Sequence, residues 1–374
     1  MSADSDGRRA LLRAALAAAL AGVTPIAFSR AQRFDARLSR DGASVDGTPA
    51  FRTLAEALAA APPGDAPYRV FIPPGDWREH NRVTRANVAL FGESRAKSRL
   101  VFDDRANAPR DPAVPGSTLE VRAPGFSAAH LTIDNDFDYP HNMPADVPHD
   151  RTGASGAQAR AVHLDAGADR SLFVDVAMNG WQDTLFVDVG RALFSRCYVS
   201  GAVDFIYGAG VVLFERCEIR SRTRPGKDFH GFIVAPDTDV HQRYGIVFDH
   251  CRLTKDADMP AHTVALGRPW RRTGLFPDGR YGNPDAVPFA AYLHCWMDDH
   301  IVPEAWYEMH YNNKAGERVM FQPEDARLYE FRSSGPGTGA PSTRRRQLSP
   351  SLERMLFGSD PARTMFGDWR PRKT

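Results

Sequence analysis

Asp183 and Asp204 hold the same place in two stretches that superimpose at a 21-residue offset, Gly180-Trp181-Gln182-Asp183-Thr184-Leu185-Phe186 and Gly201-Ala202-Val203-Asp204-Phe205-Ile206-Tyr207. If each stretch is one coil of a stacked parallel β-structure, neighbouring coils lie about 4.8 Å apart and the two carboxylates sit side by side. Crowding two carboxylates raises the pKa of one, so an ionised nucleophile or base and a protonated acid coexist at one pH. Hydrolysis of a carboxyl ester needs such a pair, together with donors aimed at the oxyanion. Gln158 and Gln182 carry neutral amide donors that stabilise developing negative charge without neutralising the aspartates. Arg268 is a fixed cation able to hold one aspartate ionised through a charge-assisted hydrogen bond. Each of these residues also has a structural reading: a turn aspartate, an amide ladder along a solenoid, a surface ion pair.

Other routes to ester cleavage lack their motifs. No Gly-x-Ser-x-Gly elbow is present, and no His/Cys set stands at zinc spacing. His163, without a serine or cysteine nucleophile motif, reads as structural. The chain carries 47 basic and 46 acidic residues, and no long lysine-rich block points to nucleic acid. The densest basic run, Arg344-Arg345-Arg346, reads as a solvated C-terminal loop.

The N-terminus reads as an address. Arg8-Arg9-Ala10-Leu11-Leu12-Arg13 precedes an alanine- and leucine-rich stretch that ends near Phe28, and Ser29-Arg30-Ala31 resembles a small-x-small cleavage site. Paired arginines before a moderately apolar segment suggest twin-arginine export of residues 1–31. Its removal leaves 43 basic against 44 acidic residues, and no other stretch is apolar for long enough to span a bilayer.

The elements that must position the chemistry are short and β-rich. Thr53–Ala61 has helical apolar spacing closed by Pro62-Pro63, and Tyr68–Ile72 is a β run closed by Pro73-Pro74-Gly75. Five segments then begin with phenylalanine: Phe126–Ile133, Phe173–Met178, Phe194–Val199, Phe214–Ile219 and Phe248–Leu253. Starts at 173, 194 and 214 are 21 and 20 residues apart. That period, with alternating apolar positions, predicts an all-β fold: a right-handed parallel β-helix with a short N-terminal helix, occupying residues 32–374 as one domain. The Leu/Asn scaffold of a leucine-rich horseshoe is missing. Residues 220–247 and 254–300 interrupt the period and are expected as long loops on one side. Cys197, Cys217 and Cys251 each stand three residues after their phenylalanine. They should stack in one inward ladder, either as a Cys197–Cys217 disulfide or as buried free thiols; Cys295 has no evident partner.

With these motifs in place the chain resembles the pectin methylesterases of the bacterial type. Gly180-Trp-Gln-Asp-Thr-Leu-Phe186 matches the family's QDTL block, Val203-Asp-Phe-Ile-Tyr-Gly208 its DFIFG block and Leu266-Gly-Arg-Pro-Trp270 its LGRPW block. Gln158-Ala159 opens a segment similar to QAVAL, and Pro74-Gly-Asp-Trp-Arg-Glu79 is similar to GxYxE. The resemblance implies an enzyme that removes methyl esters from pectin without a cofactor or metal. It also implies roles: Asp204 as nucleophile, Asp183 as acid and then base, Gln158 and Gln182 as oxyanion donors, Arg268 as the group that positions Asp204. Trp270, Trp296 and Phe205 would form aromatic walls for the sugar. Four residues depart from the motifs: Tyr207 replaces a phenylalanine, Trp77 a tyrosine, and Arg160 and His163 fall at apolar positions. The expected protein is secreted or periplasmic and monomeric, with pectin as partner and neither nucleic acid nor membrane. Rival readings on the same scaffold are a polysaccharide hydrolase or lyase, a non-catalytic carbohydrate-binding or envelope protein, and an esterase or thioesterase for another acyl substrate.

Overall fold

A computed structural model describes residues 33–44, 46–105, 116–143 and 157–371. The export segment read from residues 1–31 lies outside the described residues. Short Val-, Ile-, Leu- and Phe-rich strands assemble into three parallel sheets of 11, 8 and 7 strands, the faces of a right-handed parallel β-helix. One coil contributes one strand to each face, as Arg191–Ser195, Tyr198–Gly201 and Val203–Gly208 do. Alternate side chains point inward, and the interior is a continuous column of buried aliphatic and aromatic groups.

The phenylalanine repeat is the spine of the 11-stranded sheet. Phe173, Phe194, Phe214, Phe248 and Tyr292 pair in register on successive strands. Their rings stack with centroid separations of 4.7, 4.7, 4.8 and 4.4 Å. Phe126 does not share that register: Ala128 is the partner of Phe173, and the Phe126 ring tilts onto Phe173 at 5.6 Å.

The cysteine ladder forms, but as thiols. Cys197, Cys217, Cys251 and Cys295 are all free and buried, which corrects the Cys197–Cys217 disulfide. Each Sγ lies against a carbonyl of the preceding coil, Cys197 on Phe173 O at 3.4 Å and Cys217 on Phe194 O at 3.3 Å. Each thiol is thereby hydrogen-bonded to backbone, and no S–S bond joins the rungs. Cys295, three residues after Tyr292, is the fourth rung; a tyrosine in the phenylalanine position hid it.

Corners between faces use left-handed backbone. Asp175, Arg196, Arg216, His250 and His294 recur at φ between 52° and 54° on successive coils. Glycine is obligatory at Gly208, where φ is 125° and a Cβ would fall 1.9 Å from the Val187 carbonyl oxygen.

A helix packs at the N-terminal end of the column and two more pack along one of its faces. Leu54–Ala59 is helical, begins at the Thr53 N-cap and buries Leu54 and Ala57; Glu79 accepts from the Leu54 and Ala55 backbone N–H groups. Two C-terminal helices, Pro350–Phe357 and Pro361–Phe366, were not read from the sequence, although each carries a capping Ser or Asp followed by proline and ends at glycine. They cover the outer side of the 11-stranded sheet, packing Phe357, Met365 and Phe366 with Leu193, Leu213, Val247 and Leu293. The Arg344–Arg346 run is not a solvated loop. Arg345 is fully buried, paired to Glu330 at 2.7 and 3.1 Å, while Arg344 pairs with Glu308 and Arg346 donates to the Pro323 carbonyl. Among the described residues no helix is long and apolar enough to cross a membrane.

Candidate active site

The site is built on the seven-stranded sheet, where Arg160–Leu164, Leu185–Val187, Val203–Gly208, Gly231–Pro236 and Val264–Gly267 lie side by side. Gln182 bridges to Val203 and Leu185 pairs with Ile206, both at the 21-residue offset. Asp183 and Asp204, enclosed between those pairs, therefore face each other on adjacent coils. Both have left-handed backbone, φ 65° and 47°. Asp tolerates that region better than most residues. Here the kink lifts each carboxylate off the sheet.

Arg268 follows the strand Val264–Gly267, two strands beyond Asp204. It is fully buried, lies 4.0 Å above the Phe232 ring, and holds Asp204 with a fork of two hydrogen bonds, Nε to Oδ1 at 2.9 Å and Nη2 to Oδ2 at 2.5 Å. A buried bidentate pair of this kind fixes both the charge and the orientation of the carboxylate. Asp183 has no such partner. It reaches the cleft on one side and is enclosed by protein on the others. Burial pushes its carboxyl up to about 8, the neighbouring Asp204 adds to the rise, and Arg160, Tyr207 and Arg268 oppose it. One carboxylate is thus locked in an ion pair while its neighbour keeps a proton at neutral pH.

A cleft of about 170 Å³ opens at this pair, lined by Gln158, Asp183, Asp204, Tyr207, Ala235, Trp270 and Met309. Gln182, buried at 4 % exposure, stands directly before Asp183, and the Ala159 N–H donates to its carbonyl at 3.0 Å. The two glutamines therefore belong to consecutive coils beside the aspartates. Of the three aromatic walls expected, only Trp270 lines the cleft. Phe205 is fully buried in the central column, because the side chain after the Asp204 kink points inward. Trp296 belongs to the eight-stranded sheet, pairs with Arg252 and lies under its guanidinium at 4.5 Å. The aromatic surface is instead Phe186 and Tyr207, stacked at 4.4 Å, with Trp270 edge-on to Tyr207 at 5.7 Å. Met309 arrives from a hairpin, Met309–Asn312 with Arg318–Phe321, which no local signal linked to the site.

His163 stacks on Phe186 at 4.7 Å, and burial pushes its imidazole down to about 4, so it is neutral across the physiological range. Among the described residues two groups bring three ligand-capable atoms within 4.8 Å, Asp249–His250–His294 and His163–Asp165–Asp188. The first already carries an internal contact, His250 Nδ1 being 2.8 Å from Asp249 Oδ1.

A family model described as Pectinesterase matches residues 42–344. The chain belongs to the pectinesterase family. It is 37 % identical over 337 residues to Pectinesterase A of Dickeya chrysanthemi, covering 88 % of this chain and 90 % of that one. A crystal structure of a pectin methylesterase in complex with hexasaccharide VII aligns with a TM-score of 0.82 at 37 % identity, over 91 % of this chain and 99 % of that one. Pectin methylesterase from Yersinia enterocolitica aligns at 0.77 and 36 % identity, over 86 % and 100 %. Pectin methylesterase from carrot, at 23 % identity and 0.67, shares the fold.

Proposed function

We propose that the protein hydrolyses methyl esters of pectin through an Asp204 nucleophile and an Asp183 acid and base. Family membership and the oligosaccharide bound to a 37 %-identical relative support the substrate. The observation that carries the mechanism is the inequality of the two carboxylates: Asp204 forked by Arg268, Asp183 protonated beside it.

In the first half-reaction an Asp204 oxygen bonds to the ester carbonyl carbon, and the carbonyl electrons move onto oxygen. Amide N–H groups of Gln158 and Gln182 receive that charge. As the C–O bond to the methoxy group breaks, Asp183 gives up its proton, and methanol leaves an acyl–Asp204 anhydride. Acylation removes the negative charge of Asp204, one of the two causes that hold the Asp183 pKa high. Asp183, a carboxylate since it gave up its proton, therefore stays ionised beside the neutral anhydride and is available to take a proton from water. The hydroxide attacks the substrate's acyl carbon, Asp204 departs as a carboxylate onto Arg268, and Asp183 ends protonated. Ester and water have become acid and methanol.

Methanol release from methylated pectin tests the proposal. Asp204→Asn and Asp183→Asn should each lower kcat by at least about a thousandfold. Activity retained in Asp204→Asn defeats the nucleophile assignment. Export of residues 1–31 remains part of the proposal, supported by the Arg8-Arg9 motif and tested by comparing the N-terminus of the mature protein with that of the cytoplasmic precursor.

A further inference from the structure

Two of the departures from the family motifs, Arg160 and Tyr207, meet in space, and they meet at Asp183. Strand pairing of His163 with Phe186, and of Phe186 with Tyr207, lays Arg160–Leu164, Leu185–Val187 and Val203–Gly208 in successive coils. Tyr207 lines the cleft with both aspartates. Its ring is held flat on Phe186 at 4.4 Å and 7°, and Trp270 meets its other side edge-on. The hydroxyl comes within hydrogen-bonding reach of the Asp183 carboxyl and of the Arg160 guanidinium. Arg160 is itself anchored, its Nε donating to the Gly116 carbonyl at 3.1 Å.

The direction of this chain of contacts is set by chemistry. A guanidinium only donates, so toward Arg160 the phenol oxygen accepts and its single O–H is left for Asp183. Burial, with the Asp183 charge beside it, pushes the phenol well above its ordinary pKa, so that O–H is retained wherever the enzyme works. We infer that Tyr207, oriented by Arg160, is a positioning residue for Asp183: its hydroxyl occupies one carboxyl oxygen and leaves the transferable proton on the other, toward the departing methoxy group. The inference rests on the reading of Asp183 as acid and base.

The same contact also assists the reaction. While Asp183 is neutral it receives an ordinary hydrogen bond; once the proton has moved to the leaving group, the bond runs to a carboxylate and strengthens. An interaction stronger after proton transfer than before lowers the barrier instead of tightening substrate binding. A phenylalanine at this position keeps the ring stack and lacks that term. The charged and titratable groups facing Asp183 are Asp204 and Tyr207 from Val203–Gly208, Arg160 from its own strand and Arg268 beyond Val264–Gly267; Tyr139 also feels its charge. His163 and Arg272 stand further off across the Phe186 ring.

Tyr207→Phe, Arg160→Gln, the double variant and Asp183→Asn, each first shown to melt cooperatively, are assayed by methanol release across pH. Tyr207→Phe should lower kcat about tenfold with KM nearly unchanged. The alkaline limb of kcat/KM should move up by about one pH unit, since a group favouring the Asp183 carboxylate is gone. Arg160→Gln should move the limb the same way, by less in the Tyr207→Phe background than in the wild type. A rise in KM or a lower melting temperature without movement of the limb means that Tyr207 only packs, and overturns the inference. If Asp183→Asn is inactive while Tyr207→Phe keeps the wild-type kcat and limb, the inference falls and the catalytic reading stands. If Asp183→Asn keeps its activity, both fall.

Discussion

Asp183 retains its proton to about pH 8 in the fold, against 3.8 for the unperturbed group, and that difference has a sign for stability as well as for catalysis. Between the two values the folded chain binds a proton that the unfolded chain does not, so stability falls as pH rises through this window. The contribution is fully present below pH 3.8 and lost above about 8. Asp183→Asn removes the titration. Its melting temperature should exceed that of the wild type by a margin that widens from pH 5 to pH 8 and then levels; a margin independent of pH would mean that Asp183 is not the titrating group. At Asp204 the decisive feature is the fork from Arg268. Arg268→Lys keeps a charge but loses the second hydrogen bond, and kcat/KM should fall about 10- to 100-fold, measured by methanol release. These residues were legible because the 21-residue offset and the motif blocks both mark them. Phe205 and Trp296, which the resemblance offers as aromatic walls, lie elsewhere because their placement depends on local backbone and sheet rather than on residue type. The left-handed kink at Asp204 sends Phe205 inward, and Trp296 lies on a different sheet.

At the level of elements, the repeat announced the coil because each turn needs one large inward ring at a fixed place. The signal weakened where another residue does the same work, as Tyr292 does for phenylalanine, and it misled at Phe126, where the register slips by two. The C-terminal helices escaped because their few apolar residues do not mark a helical face until the sheet behind them is known. Two measurements test the elements. Phe214, stacked on both sides, should cost about 3–5 kcal/mol as Phe214→Ala, read from denaturant unfolding. The cysteine rungs should behave as inert filling: all four thiols unlabelled in the native protein and all four labelled on unfolding, with dithiothreitol leaving the melting temperature unchanged. Two thiols missing from the unfolded count would restore a disulfide.

A solenoid is held together by contacts between neighbouring coils, so the whole molecule depends on how its ends are closed. The N-terminal end uses a helix whose amides are capped by Glu79. Near the C-terminus the closing contact is ionic: Arg345, without exposed surface, bonds to Glu330 and to the carbonyls of Pro303 and Gly337. Burial pushes the Glu330 carboxyl upward while Arg345 opposes it, so the pair stays charged only as a pair. Charge pattern alone cannot reveal this, since three consecutive arginines look the same whether solvated or tied into the last coils. Removing one partner strands the other charge in a dry site. Arg345→Met should therefore cost about 3–5 kcal/mol in equilibrium unfolding, whereas Arg345→Met combined with Glu330→Leu should recover a large part of that loss. Thermal and urea melts of the two singles and the double close the cycle. If the single variant unfolds like the wild type, the ion pair does not hold this end of the column.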